Sequence, residues 1–279
     1  MSRRGWALFL AMAVIWGLPY LLIRVAVRQL EPGVLVLLRT GPVALLMTPI
    51  VWHQRQFRAL LKNVKWIAAF GVIEFGIPWF LMSTAEEHIT SSLTSLLICC
   101  VPLFSVLGQR IRRTEDHITP RRYVGLGVGA IGVALLVGLD LGGGAITWIV
   151  FMLLVCVGYT VGPAILATKL KDVGGPTVVM GATAVVSLAW LPWAVTHWPR
   201  TVSSETWECV AVLSVVCTAG ALLTFFALVK EVGASRATVV TYFNTAIAVA
   251  LGIIGLHEPF TVGIMFGFPL VIAGCVIAT

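Results

Sequence analysis

The chain has 279 residues, of which 59% are hydrophobic and only 11% charged, with a formal net charge of +7. A soluble domain carries about 25% charged residues, so this composition excludes an ordinary soluble globule and places the chain in lipid. The positive charge sits in alternate links between apolar runs, which argues against a nucleic-acid-binding patch.

Apolar runs of about 17 to 25 residues match the thickness of a bilayer core at 1.5 Å per residue. Ten such spans are predicted, at approximately 5–24, 33–52, 65–83, 89–108, 122–139, 146–168, 174–195, 207–229, 234–255 and 262–278. The expected fold class is an all-α integral membrane protein of ten transmembrane helices. Arg3, Arg4, Arg55, Arg58, Lys62, Lys65, Arg110, Arg112, Arg113, Arg121, Arg122, Lys169, Lys171, Lys230 and Arg236 fall on one side of such a bundle. Arg24, Arg28 and Arg200 fall on the other. The excess of basic residues marks the cytoplasmic side, so both termini are expected in the cytoplasm. The first run lacks a small-x-small cleavage site and reads as a retained helix. The sequence stops straight after span 10, without a basic tail, which reads as a shortened C terminus.

Span 1 contains Trp16-Gly17-Leu18-Pro19-Tyr20, and span 6 contains Gly158-Tyr159-Thr160-Val161-Gly162-Pro163. Glycine and proline at corresponding places predict bent or broken helices beside a cavity, since loose backbone groups are tolerated only in protein or next to water. Span 2 carries Arg39 and span 3 carries Glu74 and then Trp79. Ionisable residues inside a membrane are costly and face the interior, often paired. At similar depth the two would form an ion pair, and Glu74 is the candidate proton or substrate group. The hydroxyls that open span 4 (Thr90, Ser91, Ser92, Thr94, Ser95) suit helix packing. Trp190, Trp193, Trp198 and Trp207 read as an interfacial belt. The six cysteines fall within or at the ends of apolar runs without metal-ligand spacing, and span 9 holds Tyr242 and Asn244.

Residues 102–132 recur at 244–274. At a constant offset of 142, Asp116 matches Glu258, Thr119 matches Thr261, Gly125 matches Gly267 and Gly132 matches Gly274. The chain therefore reads as two units, 1–141 and 142–279. Five spans is an odd number, so the second unit is inverted relative to the first. Inverted repeats are a construction of transporters, with the pathway near the midplane between them. Each acid precedes a threonine at a helix start, so both are expected to meet the unpaired amides of the helix that follows. Inversion puts them on opposite faces, about 30 Å apart.

With Trp16-Gly17, Arg39, Pro102 fourteen residues before Asp116, and a Gly-x6-Gly helix closing each half, the chain resembles the EamA-type members of the drug/metabolite transporter superfamily. Glu258-Pro259 is similar to that family's Gly-Glu ending, although Leu256-His257 replaces the glycine. Asn244 departs from the proline pattern of the first copy. The resemblance implies export, less often uptake, of small metabolites such as amino acids across the bacterial inner membrane. It implies that helices 1, 3, 4, 6, 8 and 9 surround a central cavity with helices 5 and 10 as peripheral support. It thereby moves Tyr20, Glu74, Trp79, Tyr159, Tyr242 and Asn244 toward the pathway, beside Trp16.

An exporter of amino acids or related compounds is the expected function. A drug permease or channel-like facilitator is the alternative, and an intramembrane enzyme is disfavoured because no HExxH, no GxSxG and no intramembrane carboxylate pair occurs. No catalytic residue, metal or cofactor is expected. The expected partners are a small-molecule substrate and the lipid bilayer, with no nucleic acid. The Gly263/Gly267 and Gly125/Gly129 pairs suit scaffold packing, or else a dimer face.

Overall fold

The computed structural model describes residues 2–111, 120–140, 146–232 and 240–278. Within them the chain forms ten long helical spans. These are Arg3–Ala26, Pro32–His53, Val64–Glu86, Ser91–Ile98 continued by Val101–Ile111, Pro120–Asp140, Ile146–Lys169, Gly175–Thr196, Ser204–Val232, Val240–Leu256 and Val262–Ala278. Seven are long and apolar enough to cross a bilayer, and spans 5, 9 and 10 have shorter apolar stretches. One short helix, Phe57–Lys62, links spans 2 and 3. Alternate spans run in opposite directions, so one face of the bundle carries the N terminus and the opposite face carries the ends of spans 1 and 3.

The helix starts follow from local chemistry. The Ser2, Thr90, Ser203 and Thr261 hydroxyls accept from the amides of Gly5, Leu93, Thr206 and Ile264, and Pro32 opens span 2 where its missing N–H costs nothing. Asp116 and Thr119 lie outside the described residues. Span 9 ends at Leu256; the next residue, His257, has a left-handed φ of 55°, and the Glu258 amide reaches back to the Gly252 carbonyl at 3.1 Å. This is a helix stop that glycine ordinarily supplies.

The duplication is visible in the packing. Span 5 lies on span 10 through the matched glycines: a Cβ at Gly132 would meet the backbone of Gly267 and Val271, and one at Gly274 would meet Gly129 and the Gly125 carbonyl. Glycine is required there because backbone touches backbone, which agrees with scaffold packing between these two helices. Spans 2 and 7 form the other matched pair, joined by Ser187 donating to Thr40 at 2.8 Å. Spans 1 and 9 pack together, as do spans 4 and 6.

Spans 1 and 6 correct one expectation. Both run as uninterrupted α-helices through Pro19 and Pro163. A proline removes one helix hydrogen bond, and here the neighbouring glycines serve close packing rather than a break. Gly17 abuts Ile247 and the Asn244 carbonyl, and Gly158 abuts the Ile73 carbonyl and Pro78. The irregular turns fall instead in spans 3 and 8, as π-helical segments at Val72–Gly76 and Val212–Gly220. At the offset of 142, positions 72–76 become 214–218, inside the second segment. The first packs on spans 6 and 7, the second on spans 1 and 2. The two π segments are therefore related by the duplication and each reaches across to the other repeat.

Trp190 also departs from the belt reading. It stacks on Phe80 with centroids 4.5 Å apart and covers Gly33, whereas Trp193, Trp198 and Trp207 stay 40–49% exposed.

Candidate functional site

Arg39 lies seven residues into span 2, about 10 Å along the helix, and is only 6% exposed. It does not reach toward the surface. Its guanidinium lies over the Trp79 ring, 3.6 Å from the centroid, and its Nε–H donates to the Thr218 hydroxyl at 3.1 Å. Thr218 passes its own hydroxyl proton to the Leu213 carbonyl at 2.8 Å, and Ser214 donates to the Arg39 carbonyl at 3.1 Å. The π segment of span 8 thus holds both the side chain and the backbone of Arg39. A planar cation on an indole face is a favourable contact when water is excluded.

Tyr20 from span 1 and Tyr159 from span 6 complete this centre. Both lie within electrostatic reach of Arg39, and Tyr159 is also within reach of Trp79 and Glu74. Tyr20, Arg39 and Trp79 are each no more than 7% exposed, and Tyr159 is partly buried. Four spans from two repeats meet there, 1, 2 and 3 from the first and 6 from the second, with span 8 behind Arg39.

Glu74 sits in the π segment of span 3, against Gly162 of span 6, where a Cβ would overlap its carboxylate. Its Oε2 has no hydrogen-bond partner among the described residues. The expected Arg39–Glu74 ion pair does not form. Span 3 extends to Glu86 rather than stopping near residue 83, so Glu74 lies twelve residues from the opposite face while Arg39 lies seven, and the indole of Trp79 fills the place a carboxylate would take.

The remaining sequence candidates separate. Asn244 is 5% exposed, on span 9, and its Oδ1 accepts from the adjacent Thr245 hydroxyl at 3.2 Å; Thr245 in turn accepts from Cys99 at 3.0 Å. Tyr242 packs against the same core. Trp16 stands apart, packed on Phe225 at 5.1 Å in a second cluster with Phe9 and Met12.

Two features escaped the sequence reading. Glu258 does not cap its own helix. Its Oε1 accepts from the Ser91 amide and hydroxyl at 2.7 and 3.0 Å, and its Oε2 from the Ser92 amide and hydroxyl at 3.0 and 2.5 Å. The carboxylate of the second repeat therefore closes the N-terminus of span 4 in the first, and the left-handed His257 turns the chain to allow it. Beside this latch lies Glu86, fully buried, with both carboxylate oxygens unpartnered among the described residues. Neither acid of the Glu86-Glu87 pair stands out in the sequence; the available signal is that successive residues at a helix end face different ways, so one acid of the pair turns inward.

The EamA-like transporter family model matches the chain twice, over residues 3–138 and 146–279. An uncharacterized transporter of Archaeoglobus fulgidus is 25% identical over 138 residues, covering 48% of this chain and 47% of that protein; the match spans about half the length of that relative. A solved crystal structure is similar over 100% of this chain and 97% of its own, with a TM-score of 0.65 at 16% identity, a likeness of fold. With both halves matched over nearly their whole length, this ten-span duplicated chain belongs to the EamA-like transporter family.

Proposed function

We propose that the protein is a secondary transporter that exports amino acids or related small metabolites across the cell's inner membrane, by alternating access between its inverted repeats. The observation that carries this reading is the fixed Arg39 cation on Trp79, enclosed by Tyr20 and Tyr159 at the seam of the two repeats. A buried cation with free guanidinium edges suits a substrate carboxylate, and the aromatic rings suit an apolar or cationic remainder. Glu74 faces the same seam from the π segment and serves as the acidic partner or proton group. Tyr242 and Asn244 line the side of span 9. Rocking of one repeat against the other exposes the seam to each face in turn. The concentration of basic residues on the face that bears the N terminus supports cytoplasmic termini.

Counterflow of labelled amino acids in proteoliposomes, with and without a pH gradient, tests the proposal. Exchange that is abolished by Arg39→Gln supports it. Absence of exchange for every amino acid overturns the substrate class, and exchange indifferent to the gradient identifies a passive facilitator.

A further inference from the structure

We infer that Glu86 is a proton-binding site, placed between a surface cavity on the opposite face and the Arg39 centre and governed by the Glu258 latch. A cavity of about 350 Å³ opens on that face, lined by Arg24, Val27, Arg28, Glu87 and His88. Two of its lining groups adjoin Glu86. Glu87 is the next residue, and the Arg24 guanidinium donates to the Glu86 backbone carbonyl. On the inner side Glu86 is within electrostatic reach of Tyr20 and Arg39. The side chain thus lies one layer beneath water and one layer above the candidate substrate site.

The occupant follows from what surrounds the carboxylate. An ionised carboxylate without hydrogen bonds in a dry interior costs several kcal/mol, and Glu86 has no donor among the described residues. The nearby cations act on the carboxylate through their charge only, since Arg24 donates to the Glu86 backbone carbonyl and the Arg39 Nε–H to Thr218. The other charged group that faces it is Glu258, which accepts four bonds and so acts as a carboxylate. Tyr159 and Cys156 of span 6 and Cys99 of span 4 lie, like Glu86, within electrostatic reach of Tyr20, and just past the end of its helix Glu87 and His88 are exposed. The dry site first, and then the negative neighbour, favour the neutral acid, against the opposing charges of Arg24 and Arg39. Glu86 takes one proton from cavity water, forming one O–H bond and losing one negative charge; when the latch opens and water reaches the carboxylate, the same proton returns to that water. Closing the latch and loading the proton are therefore linked.

The link to transport rests on the function proposed above, but proton binding does not, and the two are read separately. Infrared difference spectra of the purified protein report the C=O stretch of a protonated buried carboxylic acid. The expected result is a band component lost in Glu86→Gln and kept in Glu87→Gln. Glu258→Gln removes the negative neighbour and moves the midpoint of that component to lower pH by about one unit, and Arg24→Gln moves it to higher pH by a similar amount. These opposite shifts are read on native Glu86 and do not depend on the folding of the Glu86 variant. A spectrum unchanged by Glu86→Gln, or midpoints unmoved by both neighbours, overturns the site. In proteoliposomes holding a pH-sensitive dye, amino-acid-driven proton movement is expected in the native protein and is lost in Glu86→Gln while counterflow remains. Proton movement that persists in Glu86→Gln overturns the coupling and leaves transport standing. A native band without any counterflow overturns the transport reading and leaves the proton site standing.

Discussion

The Glu74 carboxylate lies against the bare Cα of Gly162, in a space that a Cβ would fill. The contact joins the π segment of one repeat to the sixth span in the other, so it tests how tightly the seam is packed. Gly162→Ala is expected to lower stability by about 1–3 kcal/mol through overpacking. Adding Glu74→Ala removes the overlapping atoms, so the double variant recovers part of that loss. Thermal unfolding of the four proteins in detergent measures the coupling; additive losses would show that the two residues do not touch.

Arg39→Lys keeps the charge but loses the planar face on Trp79 and the Nε–H to Thr218. The expected loss is about 1–2 kcal/mol in substrate binding, seen as a roughly tenfold rise in the half-saturating concentration for counterflow. Thr218→Val removes two hydrogen bonds, the one from Arg39 and the one to the Leu213 carbonyl, and is expected to cost about 1–3 kcal/mol in thermal unfolding.

His257 occupies a left-handed position that costs a residue with a Cβ about 1 kcal/mol. His257→Gly is therefore expected to raise the unfolding temperature, an unusual sign for a glycine substitution. A fall would mean that the imidazole contributes more than the backbone strain costs.

Glu258→Ala leaves four donors at the start of span 4 without their acceptor. Losing a charged acceptor costs about 1–3 kcal/mol, and hydrogen exchange at the Ser91 and Ser92 amides should accelerate. Ser92→Ala, which keeps the carboxylate and both amides, is expected to do less than half as much.

Gly274→Val forces a side chain into the backbone of span 5. Because backbone cannot move aside as a side chain can, the expected result is a loss of folded protein rather than a small shift, with Gly127→Val as the tolerated control, since nothing lies within 4 Å of that position. Size-exclusion profiles of the two variants decide it.

Much of the fold was legible because a membrane imposes a simple rule on the chain. Span count, inversion and the matched glycines 125, 132, 267 and 274 all follow from hydropathy and one offset. The centre was legible in part. Tyr20, Arg39, Trp79 and Tyr159 were singled out one at a time, and the fold brings them together. For Arg39, charge suggests a carboxylate partner, while the geometry supplies an indole and a hydroxyl. Thr261, three residues on, suggests that Glu258 serves its own helix; only the three-dimensional approach of span 4 shows where the acid goes. Trp16, four residues or about 6 Å from Tyr20 along the helix, packs in another cluster. Pro19 and Pro163 suggested broken helices, yet proline marks a lost hydrogen bond and not where a helix departs from α geometry.

That departure has its own consequence. A π turn holds one residue more than an α turn, and it is a defect that can migrate. If the surplus residue in Val72–Gly76 moves one position along span 3, the residue it passes rotates by about 100° and slides by about 1.5 Å, while the helix on either side keeps its place. Span 8 holds the same surplus at the matched place. The protein thus carries a pair of dislocations, one in each repeat, through which side chains such as Glu74 and Thr218 can change the direction they face without either helix having to unwind in lipid.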